Sequence, residues 1–371
     1  MSDSPPPDAP APRVSLPLLP PGGIDFAQAM TSPCATCATA PCCTFLPLHS
    51  FRIETLRELD HALYVLNFEH LELGLSSAGQ WGVYYRYPCR FLDGDPARCT
   101  IYTAPERPRI CEHYNPYGCW YKRVLTGAGG EEHLRLDRRR LARLAELLIF
   151  DEERNIVGVP EWGQLVEAVA AVEPEPVAPS APLRPDEALT EWGAIVGGIA
   201  APRPSTLAPF DEGHDPCVGC GAHCCRTLIF PHGAPTSRSN LDYLKFALGF
   251  PGVELGIAAD SWTLVVHTRC RHLKDDRCSI FGQPERPLIC RFYDAWSCQY
   301  KPRFGAPQPA GYLRVRLEQF RWLVEPLRFD DQGAIVELPP PDALRAHVEA
   351  RWRSTLLEPS SELPVTAAPG L

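Results

Sequence analysis

Between residues 52 and 73, leucines fall at Leu56, Leu59, Leu63 and Leu66 with charged residues among them. Apolar positions three and four apart line one face of a helix, so the pattern predicts a helix over 52–73 and a second over 240–249. The stretches WGVYYRY at 81–87 and WTLVVHT at 262–268 are rich in aromatic and β-branched residues. They predict strands, each running towards a cysteine. Leu141, Leu144 and Leu148 mark a further helix, matched by Phe320, Leu323 and Leu327. Short strands are predicted at 155–159 and 334–338, and a closing helix over 342–357. The fold class expected is α+β: two homologous small domains, each with helices and short strands around a cysteine-ligated metal site. The cysteines fall on turns and element ends.

The same order of elements appears twice because the chain aligns with itself. Cys34, Cys37, Cys42, Cys43, Cys89, Cys99, Cys111 and Cys119 correspond in order to Cys217, Cys220, Cys224, Cys225, Cys270, Cys278, Cys290 and Cys298, which uses all sixteen cysteines. The segment CTIYTAPERPRICEHYNPYGC at 99–119 meets CSIFGQPERPLICRFYDAWSC at 278–298, with identical cysteine spacing. Trp81 falls on Trp262, and LRL at 134–136 falls on LRV at 313–315. The unit is a whole domain, too long for a solenoid repeat. The expected organisation is a proline-rich disordered tail over 1–21, a first domain over 22–171, a proline-rich linker over 172–188, a second domain over 189–357 and a tail over 358–371. With a linker between two complete cysteine sets, each copy is expected to fold and bind metal by itself.

Composition narrows the chemistry. The chain has 371 residues, 45% hydrophobic and 22% charged, with a net charge of −9. An acidic balance argues against sequence-independent nucleic-acid binding, which needs a basic face. The run RLDRRRLAR at 135–143 reads as the solvated side of an amphipathic helix. No apolar run is long enough to span a bilayer, and the N-terminus has no apolar core of a signal peptide. A cytoplasmic, reducing setting is therefore expected, in which clustered cysteines bind metal rather than form disulfides.

Spacing suggests how. In Cys34-x2-Cys37 and Cys217-x2-Cys220 a tight turn can aim both sulfurs at one ion. The adjacent pairs Cys42-Cys43 and Cys224-Cys225 are harder to use together, since neighbours in extended backbone point to opposite faces. All-thiolate sites suit zinc and iron-sulfur clusters alike. Arg107 and Arg286, in the two PERP segments, stand four residues before Cys111 and Cys290. They can either offset thiolate charge or pair with Glu106 and Glu285. His49 and His232 read as surface residues or as support around a metal site rather than as its ligands, and His223 lies between Cys220 and Cys224. Tyr114 and Tyr293 either cover the site from water or pack in the core, and Trp81 and Trp262 read as core. Asp60, Asp242, Glu72 and Glu254 read as helix caps or exposed charge. No catalytic constellation and no substrate or protein partner stands out, and TGAGGEEH at 126–133 is the best glycine-rich loop.

The CxxC...CC opening followed by C-[ST]-I-[YF]-x-x-P-E-R-P-x-I-C resembles the YkgJ-type cysteine cluster family, whose domain is zinc- or iron-chelating. The resemblance covers 34–121 and 217–300. It implies metal ions as the bound partners, an iron-sulfur cluster or zinc as cofactor with iron favoured, and all sixteen cysteines as candidate ligands. The same cluster occurs in flagellin lysine N-methylases, so an iron-sulfur-dependent methylase-like enzyme is the alternative to a metal-binding or scaffold role. This chain departs from the common pattern in having two copies, and in having Glu112 where the second copy has Arg291.

Overall fold

The computed structural model describes residues 40–94, 98–114, 133–176, 222–259, 261–294, 298, 300 and 312–357. Its first half begins with a 3-10 turn, Pro41–Cys43, followed by β1 (Phe45–Phe51), α1 (Leu56–Val65), β2 (Leu71–Ser76) and β3 (Trp81–Arg86). A small hairpin of β4 (Leu92–Asp93) and β5 (Arg98–Cys99) leads to the short helix α2 (Arg109–Glu112). Next come β6 (His133–Leu136), α3 (Arg138–Ala145), the ribbon β7 (Ile149–Phe150) and β8 (Ile156–Gly158), and α4 (Trp162–Ala170). The second half runs through a 3-10 turn His223–Cys225, β9 (Thr227–Pro231), α5 (Arg238–Leu248), β10 (Val253–Ile257) and β11 (Trp262–His267). It continues with β12 (Leu273–Lys274), β13 (Arg277–Cys278), α6 (Leu288–Arg291), β14 (Leu313–Val315), α7 (Leu317–Val324), β15 (Arg328–Phe329), β16 (Ile335–Glu337) and α8 (Pro341–Leu357). The architecture is α+β, as expected. Among the described residues no helix is long and apolar enough to cross a membrane.

Each half is built on a four-stranded antiparallel sheet, ordered β1-β3-β2-β6 in the first and β9-β11-β10-β14 in the second. The registers agree with the sequence alignment: Leu75 faces Trp81 and Ile257 faces Trp262. In β2 the leucines at 71, 73 and 75 point to one face and Glu72 and Gly74 to the other, as the two-residue period of a strand requires. The leucines lie in one core with Leu59 of α1 and Leu141 and Leu144 of α3, and both tryptophans are core, as read.

The helix predicted over 52–73 is shorter than expected. It starts at a capping box, in which the Glu58 N–H donates to Thr55 Oγ1 (3.2 Å) and the Thr55 N–H donates to the Glu58 carboxylate (3.0 Å). It ends at Val65, and His70, with φ 63°, reverses the chain into β2. Leu71 stands five residues after Leu66, out of helical phase but in phase with Leu73 and Leu75, so the strand takes it. The helix predicted over 240–249 is found as Arg238–Leu248, with Ser237 as its cap (Asn240 N–H to Oγ, 3.3 Å).

The two halves are not insulated from each other. One continuous core contains Leu59, Leu66, Phe68 and Leu73 from the first half and Leu244, Leu248, Phe250 and Leu255 from the second. The Tyr85 hydroxyl donates to the Pro251 carbonyl (2.8 Å), and Phe68 forms an antiparallel bridge with Cys270. Glu175, within the stretch read as linker, pairs with Arg271 (2.6 Å), and its backbone N–H donates to the Asp137 carboxylate (2.8 Å). Among the described residues the two halves thus contribute to one interior.

Candidate metal centre

Four separate segments of each half carry cysteines towards the same place. Ala40 (φ 37°, ψ 55°) and Ala222 (φ 52°, ψ 42°) take the left-handed conformation immediately before the two 3-10 turns. A β-carbon is disfavoured there, and the turn it initiates sets Cys42 Sγ 4.0 Å from Cys43 Sγ, and Cys224 Sγ 4.0 Å from Cys225 Sγ. The adjacent cysteines therefore do not diverge as they would on a strand. Their surroundings still differ: Cys225 leans on the main core, whereas Cys224 packs with Cys298, Tyr293 and Tyr300 around Val265. The Tyr293 hydroxyl donates to Cys298 Sγ at 3.4 Å.

The next cysteine is tied to this turn. The Cys89 N–H donates to the Cys43 carbonyl (2.7 Å), and the Cys270 N–H to the Cys225 carbonyl (2.8 Å). Cys99 and Cys278 end the small hairpins, paired with Leu92 and Leu273. Cys111 and Cys290 lie on α2 and α6. Cys43, Cys89, Cys99, Cys111, Cys225, Cys270, Cys278, Cys290 and Cys298 are free thiols. Cys34, Cys37, Cys119, Cys217 and Cys220 lie outside the described residues, as does the glycine-rich loop except for His133. Among the described residues no three histidine, cysteine or acidic side chains stand at metal-holding distance.

The electrostatics are those of sulfurs crowded together. Burial pushes Cys111 up to about 12, opposed by Arg107 and reinforced by repulsion from Cys42, Cys89 and Cys99. Burial likewise pushes Cys290 up to about 12, opposed by Arg286 and reinforced by Cys224, Cys270 and Cys278. Cys43 and Cys225 are raised first by the hydrogen bond to their neighbouring thiol, then by burial. Burial also raises Cys89, Cys99 and Cys270, but the N–H groups of Phe91, Ile101 and His272 respectively donate to those sulfurs and favour their anions. Backbone donors of this kind, two residues beyond a cysteine, are what a thiolate ligand needs.

The PERP arginines lie beside the thiols and lower the pKa of Cys111 and Cys290 against the effect of burial. Arg107 stacks 3.9 Å over the Tyr102 ring and donates to the carbonyls of Tyr102 (2.9 Å) and Cys111 (2.6 Å). Arg286 stacks 4.5 Å over Phe281. Among the described residues neither forms an ion pair with Glu106 or Glu285. In both, Nε is buried without a hydrogen-bond partner. Two equivalent orphaned N–H donors, each beside a group of thiols, fit an anionic thiolate-bound metal. Thiolates are soft donors, so this set suits zinc and iron.

Other candidates resolve differently. His49 stacks on Phe51 and His232 on Tyr243, both half-buried, and burial lowers the pKa of each. His223 opens the second 3-10 turn. Asp60 and Asp242 are caps, but of helices in the opposite half. The Leu288 N–H donates to Asp60 (2.7 Å), and the Arg109 and Ile110 N–H groups donate to Asp242 (2.9 and 2.6 Å).

Glu72 and Glu254 are not helical or exposed. They lie buried on the central strands β2 and β10. Glu72 is held by Arg135 (Nη2, 2.8 Å) and Arg86 (3.3 Å). Glu254 is held by Arg314 (2.6 Å), Arg316 (3.0 Å) and His267 (2.9 Å). These arginine and histidine partners were missed. The signal was present: Arg135 and Arg314 occupy the same place in the self-alignment, as do the two glutamates.

No curated protein and no solved structure matches the chain. Residues 33–126, which span the cysteine cluster of the first half, match the family model described as "Putative zinc- or iron-chelating domain", with the pattern CxxCxxCC.

Proposed function

We propose that this chain is a metal-binding protein formed by tandem duplication, in which each half holds zinc or iron through its cysteine thiolates. The duplication is supported by the cysteine alignment, the common strand order of the two sheets and the equivalent left-handed alanines. The observation that carries the metal reading is the pair of arginine Nε groups, Arg107 and Arg286, buried and unpartnered beside mutually repelling thiols. Without a cation these sulfurs keep their protons. A bound metal would supply the positive charge that lets them ionise. Cys42, Cys89, Cys99 and Cys111, and their counterparts Cys224, Cys270, Cys278 and Cys290, would take part in holding it, with the cysteines outside the described residues available to complete each set. The free thiols of Cys89, Cys111, Cys270 and Cys290 suit a reducing, cytoplasmic setting.

The resemblance to proteins with iron-sulfur clusters favours iron over zinc, and a redox or metal-handling role follows from that choice. Elemental analysis of anaerobically purified protein should find at least one iron or zinc per half. A folded chain with neither would overturn the proposal. An iron-sulfur form should be brown and bleach with dithionite; a zinc form would be colourless, since zinc has no redox chemistry.

A further inference from the structure

We propose that each cysteine cluster is a composite site, positioned by the half of the chain that does not contain it. The proposal rests on the metal-binding reading above. Asp60, on α1 of the first half, receives the Leu288 N–H at the start of α6, two residues before Cys290. Asp242, on α5 of the second half, receives the Arg109 and Ile110 N–H groups at the start of α2, just before Cys111. The exchange is reciprocal, as in a two-fold interface, and it fixes in each half the helix that carries a cluster cysteine.

A second pair of contacts repeats the exchange at a different cysteine. The Asn67 carbonyl, just after α1, accepts the N–H of Arg271 (2.8 Å), next to Cys270. The Gly249 carbonyl, just after α5, accepts the N–H of Arg90 (2.9 Å), next to Cys89. Gly249 also lies against the sulfur itself, since a β-carbon there would stand 3.4 Å from Cys89 Sγ. In the second site a third contact crosses over: the Tyr64 hydroxyl of the first half donates to the Cys224 carbonyl (3.4 Å). Cys89 and Cys111 thus owe their position to the second half, and Cys270 and Cys290 to the first. Asp60 and Asp242 touch no sulfur, so they are positioning residues.

The test uses the full-length chain with Asp60→Ala, Asp242→Ala and the corresponding asparagine variants, zinc-loaded and after metal removal. Zinc content is measured together with the alkylation rate of each cysteine, read peptide by peptide by mass spectrometry. Losing a cap shifts a local equilibrium by about fivefold. Asp60→Ala is therefore expected to speed alkylation of Cys290 by about that factor and leave Cys111 unchanged, and Asp242→Ala to do the reverse. Asparagine retains a carbonyl acceptor and should restore part of the protection. Where an alanine variant exposes every thiol, the asparagine variant decides between a crossed and an uncrossed pattern. Faster alkylation in the variant's own half, equal exposure of both halves in the asparagine variant, or no change would overturn the proposal while leaving the metal reading intact if the unaltered chain binds zinc. An unaltered chain that binds neither zinc nor iron would overturn both.

Discussion

Glu254 has 1% of its side chain exposed and takes hydrogen bonds from Arg314, Arg316 and His267. Burial alone would raise its pKa; Arg314, His267 and Arg316 outweigh burial and hold it well below the usual carboxylate range. A carboxyl depressed on folding stabilises the protein above its unfolded pKa and loses that contribution only as pH falls through the lower folded value. The Glu254 cluster should therefore survive until well below pH 4.5. Glu254→Gln leaves Arg314 buried without a counter-charge and is expected to cost about 3–5 kcal/mol by urea unfolding. Glu72→Gln should cost less, because Arg86 and Arg135 are 39% and 29% exposed and can be solvated. The cluster thiols have the opposite sign. Cys111 and Cys290 are raised from 9.0 to about 12, so their contribution to the metal-free fold is full below pH 9 and declines as pH rises towards 12. The same protons must leave when metal binds. Zinc titration of the metal-free chain near neutral pH, in buffers of different ionisation enthalpy, should show net proton release.

The elements differ in how plainly the sequence announced them. Helices α5 and α7 and strands β3 and β11 follow from periodicity and residue type. Strand β2 was hidden because its alternating leucines continue a helical series without a proline or glycine to separate them; only the phase break between Leu66 and Leu71 marks the change. Strand β1 carries Pro47 next to a register shift, which weakens its period-two pattern. The cysteines were legible because a doubled spacing is specific. The cross-half caps were not, because Asp60 looks like any helix-surface acid and its partner lies 228 residues away. The divergence expected of Cys42 and Cys43 failed for a local reason, since Ala40 starts a 3-10 turn where a strand was assumed. That alanine offers a test at this scale. Glycine enters the left-handed region without the penalty of about 1–2 kcal/mol that a β-carbon carries, and gives back part of the gain as chain entropy. Ala40→Gly and Ala222→Gly should each stabilise the metal-free chain by up to about 1 kcal/mol, seen as a higher urea midpoint at unchanged slope.

At the scale of the whole molecule, the question is whether the two halves behave as two domains or as one. Read from the cysteines alone, either half should suffice, because each carries eight. The packing leads to the opposite expectation. Leu66 and Phe68 of the first half, and Leu248 and Phe250 of the second, are each at most 2% exposed within a core that both halves build. Cutting the chain in the 177–188 stretch and expressing the pieces separately would uncover this apolar surface and remove Asp60 from Leu288 and Asp242 from Arg109 and Ile110. Each piece would then have to order its cysteine helix without a cap and its core without a partner, and small domains have little stability to spare. Neither piece alone is expected to give a native near-ultraviolet dichroism spectrum or to hold metal at full stoichiometry. Mixing the two pieces should restore both, because the contacts between Asp60 and Leu288, and between Asp242 and Arg109 and Ile110, do not depend on the two halves being one chain. A first half that folds cooperatively and binds its metal in isolation would mean that the shared core is an accessory of two self-sufficient domains.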